Sequence, residues 1–167
     1  MTRNILIDIG HPGHVHLFHH LYDSLRKNNN VYVTGGSSGS GTRYDYATIK
    51  YNSAGVQQWV ETYNGPANYN DTANDIAVDD SGNVYVTGSS DGASSDNEDY
   101  ATIKYNSAGV QQWLSRYDGG GGGDDAYAMS LDETGTLYVT GDSRNPTSPY
   151  SYDYLTIRYN VYTGDTV

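Results

Sequence analysis

The sequence predicts an all-β fold of tandem, four-stranded antiparallel units, with one N-terminal α-helix. Three observations carry that expectation. The string DYATIKYNSAGVQQW runs from Asp45 to Trp59 and again from Asp99 to Trp113. A looser copy, DYLTIRYN, runs from Asp153 to Asn160, and the three leading aspartates stand 54 residues apart. Short β-branched runs recur inside each period, bounded by Gly, Asn, Asp and Ser. A fixed step of this size marks a repeat architecture, in which each unit buries a face that it cannot bury alone.

Taken from the N-terminus, residues 1–30 read as a strand–helix leader. Asn4 to Gly10 (NILIDIG) is a short apolar strand. From His14 to Lys27 the residues Phe18, Leu21, Tyr22 and Leu25 fall at helical spacing, and Arg26 and Lys27 suit the C-terminal end of a helix dipole. Residues 31–167 then hold the repeats: a first unit over 31–64, a second over 71–118 and a third over 124–167, cut short. The second is the most complete. Asp71 to Asp79 alternates, with Ile76 and Val78 on one face and Ala73, Asp75 and Ala77 on the other. Asp80-Ser81-Gly82-Asn83 is a tight turn, Val84 to Gly88 a second strand, Asp99 to Tyr105 a third, Asn106 to Gly109 another turn, and Val110 to Tyr117 a fourth. The first unit lacks its own first strand, and NILIDIG has the length and alternation to substitute for it.

Both faces of these strands carry bulk. Ala101, Ile103 and Tyr105 alternate with Tyr100, Thr102 and the stem of Lys104. A sheet with one wet face would show cleaner polar alternation, so each unit is expected to sit between neighbours as a propeller blade does. The string NVYVTGSS (Asn83 to Ser90), followed by DYATIKYN and a closing Trp, resembles the bacterial SBBP repeat, named for seven-bladed β-propellers. The resemblance runs from about Val31 to Asn160. It implies a partial β-propeller of about two and a half to three blades, and a secreted or cell-surface binding scaffold without a catalytic motif. Closed rings need at least about four blades. The chain is therefore expected to be either a fragment or a homo-oligomer subunit that closes a ring.

The leader carries a second resemblance. ILIDIGHPGHVHLFHHL, with residues up to about Thr34, looks like the start of GT-B proteins similar to lipid-A-disaccharide synthase and UDP-N-acetylglucosamine 2-epimerase. That family binds a sugar nucleotide between two domains, with Gly10, His11, Pro12, Gly13 and His14 beside the cleft. A single strand and helix cannot form the βαβ units of such a site. The two resemblances meet at Val31–Thr34, where both families read VYVT, and a joined reading frame is one account of that.

Composition excludes several classes. Twenty acidic residues against nine basic ones give a net charge of −11, which leaves no positive stripe for nucleic acid. No apolar run reaches the length of a membrane span. There is no Cys, hence no disulfide framework and no thiolate metal site. Ile, Leu, Val and Phe make up only 28 of the 167 residues, but eighteen Tyr and two Trp add apolar area. The core is expected to be thin and rich in tyrosine. Asp8 and His11 interrupt the first apolar stretch, so the N-terminus does not read as a signal peptide, and the compartment stays open.

Candidate sites are few. Five His lie between His11 and His20, with His16 and His20 at i, i+4, but no third ligand accompanies them. Asp91, Asp96 and Asp99 are the candidates for calcium, in an acidic loop that includes Glu98, with Asp124 and Asp125 after a five-glycine run. Ordinary turn chemistry explains such residues equally well. Trp59 and Trp113 could stack on sugar rings, although their strict recurrence favours packing between units. Gly119 to Gly123 lacks the Lys-Ser/Thr ending of a phosphate loop. No catalytic residue, cofactor or metal site is assigned. The function expected is a non-catalytic scaffold whose partner is a protein or a carbohydrate. The alternatives are a remnant of a sugar-nucleotide-dependent enzyme and a non-functional hybrid.

Overall fold

A computed structural model describes residues 30–38, 43–92, 97–120, 122–148 and 151–167. Within them lie ten strands: β1 (Val31–Ser38), β2 (Tyr44–Tyr51), β3 (Gln57–Tyr63), β4 (Asp71–Val78), β5 (Val84–Asp91), β6 (Glu98–Tyr105), β7 (Gln111–Tyr117), β8 (Asp124–Leu131), β9 (Thr136–Arg144) and β10 (Tyr152–Asn160). They form three separate antiparallel sheets, ordered β1-β2-β3, β4-β5-β6-β7 and β8-β9-β10. The expected N-terminal helix is corrected: the described residues are all-β and contain no helix. Each described segment alternates with period two or turns, which is why none of them is helical. His14–Lys27, where the helix was placed, and the Asn4–Gly10 strand with its offered place in the first sheet, lie outside the described residues.

The sheets stack face to face. Strand β4 lies against β1 and β2, and β8 lies against β4, β5 and β6. One core forms between the first two sheets, where Tyr32, Tyr46 and Tyr63 meet Ile76, Val86 and Ile103. A second forms between the next two, where Tyr85, Tyr100 and Trp113 meet Leu137, Val139 and Ile157. The alternation in β6 explains this directly. Ala101, Ile103 and Tyr105 face the first sheet and Tyr100 faces the third, so both sides of the middle sheet are dry. The bulk comes from tyrosine, as the thin aliphatic content requires.

One detail of the alternation is corrected. Ala73 packs with Ile76 and Val78, not opposite them. The register between β4 and β5 shifts between Ala73 and Asp75, which leaves Asn74 as a bulge and carries Ala73 to the other face. The third sheet repeats the device at Tyr127. Opposite each bulge stands a glycine whose added Cβ would fall 2.0 Å from the Thr72 carbonyl oxygen (Gly88) or 1.9 Å from that of Asp125 (Gly141). No other residue fits such an approach.

Beyond β10 the chain turns at Asn160–Asp165 and returns beside it. Asn160 N donates to Asp165 O at 2.8 Å, and Tyr159 pairs with Thr166 in an antiparallel bridge. A hairpin turn one residue longer than those after β2 and β6 thus forms here, in a sequence that no longer resembles theirs.

Candidate functional site

Antiparallel pairing divides each sheet into two ends. At one end lie the tight turns 52–56, 79–83, 106–110 and 132–136. A leading Asn or Asp caps each: the Asn106 Oδ1 accepts from the backbone N–H of Ala108 and Val110, both at 3.0 Å, and Asn52, Asp79 and Asp132 repeat the pattern. At the other end lie the longer loops and the linkers from sheet to sheet. The two ends carry different chemistry.

The turn end holds a clasp that recurs with the repeat. The Trp59 indole N–H donates to Ser107 O at 3.3 Å and Lys50 Nζ donates to the same oxygen at 2.9 Å. One period later, Trp113 and Lys104 donate to Val161 O at 3.1 and 2.8 Å. Each sheet therefore grips the turn of the next sheet by one carbonyl. The tryptophans are wedged between tyrosines, Trp59 between Tyr32 and Tyr105, Trp113 between Tyr85 and Tyr159. Burial pulls the Lys104 ammonium below its usual value, partly opposed by Asp79. The tryptophans thus go to packing, and neither is offered flat to solvent.

The loop end is acidic. Asp71 Oδ2 accepts from the Gly65 N–H at 2.8 Å, and Asp124 Oδ2 accepts from the Gly119 N–H at 2.6 Å. In both cases the first carboxylate of a sheet ties down the linker that leads into it. Asp91 Oδ2 accepts from the Asn70 N–H at 2.8 Å, and its carboxylate is buried. Asp99 meets Arg116 in an ion pair of 2.6 Å. Arg116 also donates to the Tyr63 hydroxyl at 2.7 Å and to the Ser90 carbonyl at 3.0 Å. One guanidinium thus joins three strands of the middle sheet to the first sheet.

Of the calcium candidates, Asp91 and Asp99 are both buried at this end and Asp96 lies outside the described residues. The structure instead groups Asp99 with Asp118 and Asp124, whose carboxylate oxygens lie within 4.8 Å of one another. Asp118 was missed in the sequence. Its one signal is position, since it stands where Asn64 stands in the preceding unit, at the end of a fourth strand. Oxygen donors of this kind suit a hard cation. Each acid already has work here, however: Asp99 holds Arg116, Asp124 holds Gly119, and Asp118 Oδ1 accepts from the Gly120 N–H at 2.7 Å.

Burial sets the electrostatics of this end. Desolvation holds the carboxyls of Asp71, Asp99 and Asp125 above the usual range, and in Asp99 the hydrogen bond and charge of Arg116 only partly oppose it. Desolvation pulls Arg116 down, but its bonds to Asp99 and Tyr63 outweigh that and leave it above its usual value. The five histidines of His11–His20 lie outside the described residues. Gly119, in the linker between β7 and β8, donates its N–H to Asp124.

Residues 62–94 match the beta-propeller repeat family, SBBP. They cover the end of β3, the linker tied by Asp71, strands β4 and β5, and the turn between them. No curated protein matches the chain. Nothing in these comparisons supports the glycosyltransferase-like resemblance of residues 1–34.

Proposed function

We propose that this chain is a non-catalytic interaction scaffold, a stack of blade-like sheets whose exposed loops and outward faces contact a protein or a carbohydrate. One observation supports the reading above others. Among the described residues, Lys50, Lys104, Trp59 and Trp113 at one end hold sheet to sheet, and Asp71, Asp99, Arg116 and Asp124 at the other hold linkers and strands in place. A catalytic group needs access to a reacting atom and freedom from such duties. The local match to a propeller repeat agrees with a scaffold role.

The reading is tested by immobilising the chain and measuring binding to arrayed glycans and to surface-protein extracts, with UDP-sugars as the competing class. Saturable binding of a glycan or protein without turnover is the expected result. Saturable binding and turnover of a UDP-sugar would overturn it.

A further inference from the structure

The linker that joins the first sheet to the second opens on Asn64–Gly65. Asn followed by Gly is the step at which a chain deamidates most readily. Glycine has no Cβ to hinder attack by its own nitrogen on the preceding carboxamide, and it takes the backbone angles that ring closure needs. Packing leaves no room for another residue at this place. A Cβ on Gly65 would fall 2.6 Å from Asp71 Oδ1 and nearer still to Ser90 Oγ. The close approach that tightens the joint therefore builds a labile step into it.

Two hydrogen bonds stand against the reaction. The Gly65 N–H donates to Asp71 Oδ2 at 2.8 Å, and Asp71 is 0% exposed. An amide whose proton is held by a carboxylate is a poor nucleophile, because removing that proton would set a second negative charge beside the first. The Asn64 Nδ2 donates to Asn68 Oδ1 at 2.8 Å, which ties the carboxamide further along the linker. Asn64 is exposed and Gly65 buried, so water reaches the carboxamide while the attacking nitrogen is shut away. The second linker repeats the arrangement although it is one residue shorter. It opens on Asp118–Gly119, a step that isomerises through the same ring, and the Gly119 N–H donates to Oδ2 of the buried Asp124 at 2.6 Å.

We propose that Asn64 is a latent deamidation site which Asp71 holds shut, and that loss of the hydrogen bond between Gly65 and Asp71 opens it. Once that bond is lost, hydroxide takes the proton of the Gly65 N–H, and the electron pair on nitrogen forms a bond to Asn64 Cγ. The Cγ–Nδ2 bond breaks, and ammonia leaves with a proton drawn from water. The succinimide so formed takes up water at either carbonyl and opens to aspartate or isoaspartate. The net change is ammonia lost and water gained. Either product places a negative charge at the head of the linker, where the next unit carries Asp118.

Peptide mapping by mass spectrometry tests the proposal, with aspartate and isoaspartate at position 64 followed over time at mildly alkaline pH. In the folded chain Asn64 is expected to deamidate at least about tenfold more slowly than in the same chain unfolded in urea, the factor that a hydrogen bond to a charged acceptor supplies. Folded Asp71→Ala should lose that protection. Asp71→Asn keeps an acceptor but no charge and should fall between the two. Asn106–Ser107, in a turn at the opposite end of the sheets, is the internal clock for unfolding, and its rate should be the same in all the folded chains. Asn64 reacting as fast folded as unfolded would overturn the proposal. So would an Asp71→Ala chain that keeps the protection, or both variants accelerating Asn64 and Asn106 together, which would leave Asp71 a part in folding alone.

Discussion

The Trp113 indole lies over Gly164, so close that a Cβ on that glycine would sit 2.7 Å from the ring carbon Cδ2. The same indole donates its N–H to Val161 O, within the turn that Gly164 closes. One side chain of the middle sheet thus reads both the backbone shape and the free carbonyl of the next sheet's turn. Trp59 does the same one period earlier, at Gly109 and Ser107.

Removing the indole should expose the joint. Trp113 is only 8% exposed, and Trp113→Ala is expected to cost about 3–5 kcal/mol, measured as a fall in the urea midpoint. Trp113→Phe keeps a ring against Tyr85 and Tyr159 but leaves Val161 O with the Lys104 bond alone, and should cost less than the alanine variant. Equal losses for the two would mean that the ring contributes nothing to the packing.

Glycine substitutions separate backbone strain from the clasp. Gly55 and Gly109 close identical turns with φ of 78° and 88°. An added Cβ at Gly55 meets nothing within 4 Å, while at Gly109 it lies 2.9 Å from Trp59 Cγ. Gly55→Ala should cost about 1 kcal/mol for the left-handed backbone alone. Gly109→Ala should cost more than that, and the excess should vanish when Trp59 is also changed to Ala. A double-mutant cycle checks this.

The arginine at the loop end gives a third prediction. Arg116→Met leaves the buried Asp99 carboxylate without its counter-charge, with a cost of several kcal/mol, up to about 3–5. Adding Asp99→Asn removes the stranded charge and should recover part of the loss. Chemical denaturation of the three variants decides it; a double variant no better than Arg116→Met would show that the ion pair is not what Arg116 supplies.

Stability should also rise in mild acid. Burial, named first among the causes, raises the carboxyls of Asp71, Asp75, Asp99 and Asp125 above their unfolded values. A raised folded value means more protons bound in the native state. The resulting stability is fully present below the unfolded Asp value of about 3.9 and is lost as pH rises through the folded values. Asp132, lowered by its bonds to Thr134 and Thr136, acts in the opposite sense, but it is a single exposed group. The urea midpoint is therefore expected to be higher at about pH 4.5 than at pH 8. The reverse order would mean that these carboxyls are better solvated than the packing implies.

The strands were legible because a sheet with two dry faces writes itself into sequence. Val84, Val86, Ile103 and Tyr105 alternate with Tyr85, Tyr100 and Lys104 at the same places in each unit, and the turns announce themselves by Asn, Asp and Gly. The bulges at Asn74 and Tyr127 were not legible, since nothing in either residue distinguishes a bulge from an ordinary strand position. That is why Ala73 was assigned to the wrong face. The clasp was hidden for another reason: Lys104, Trp113 and Val161 come from two different sheets, and one of the acceptors sits in a turn whose sequence no longer matches the repeat. The acidic grouping was legible only as a surplus of Asp. Which acids meet depends on the linker 118–123, and this brought Asp118 to Asp99 while leaving Asp91 with Asn70.

The central claim is that successive sheets stack face against face and are locked where Trp113 and Lys104 meet the following turn. Two-dimensional NMR of the full chain tests it most directly, through nuclear Overhauser contacts of the Trp113 indole. Cross-peaks to Tyr85, Tyr159 and the Gly164 α-protons are the expected result. Their absence, together with backbone contacts pairing β7 directly to β8 as one continuous sheet, would contradict it.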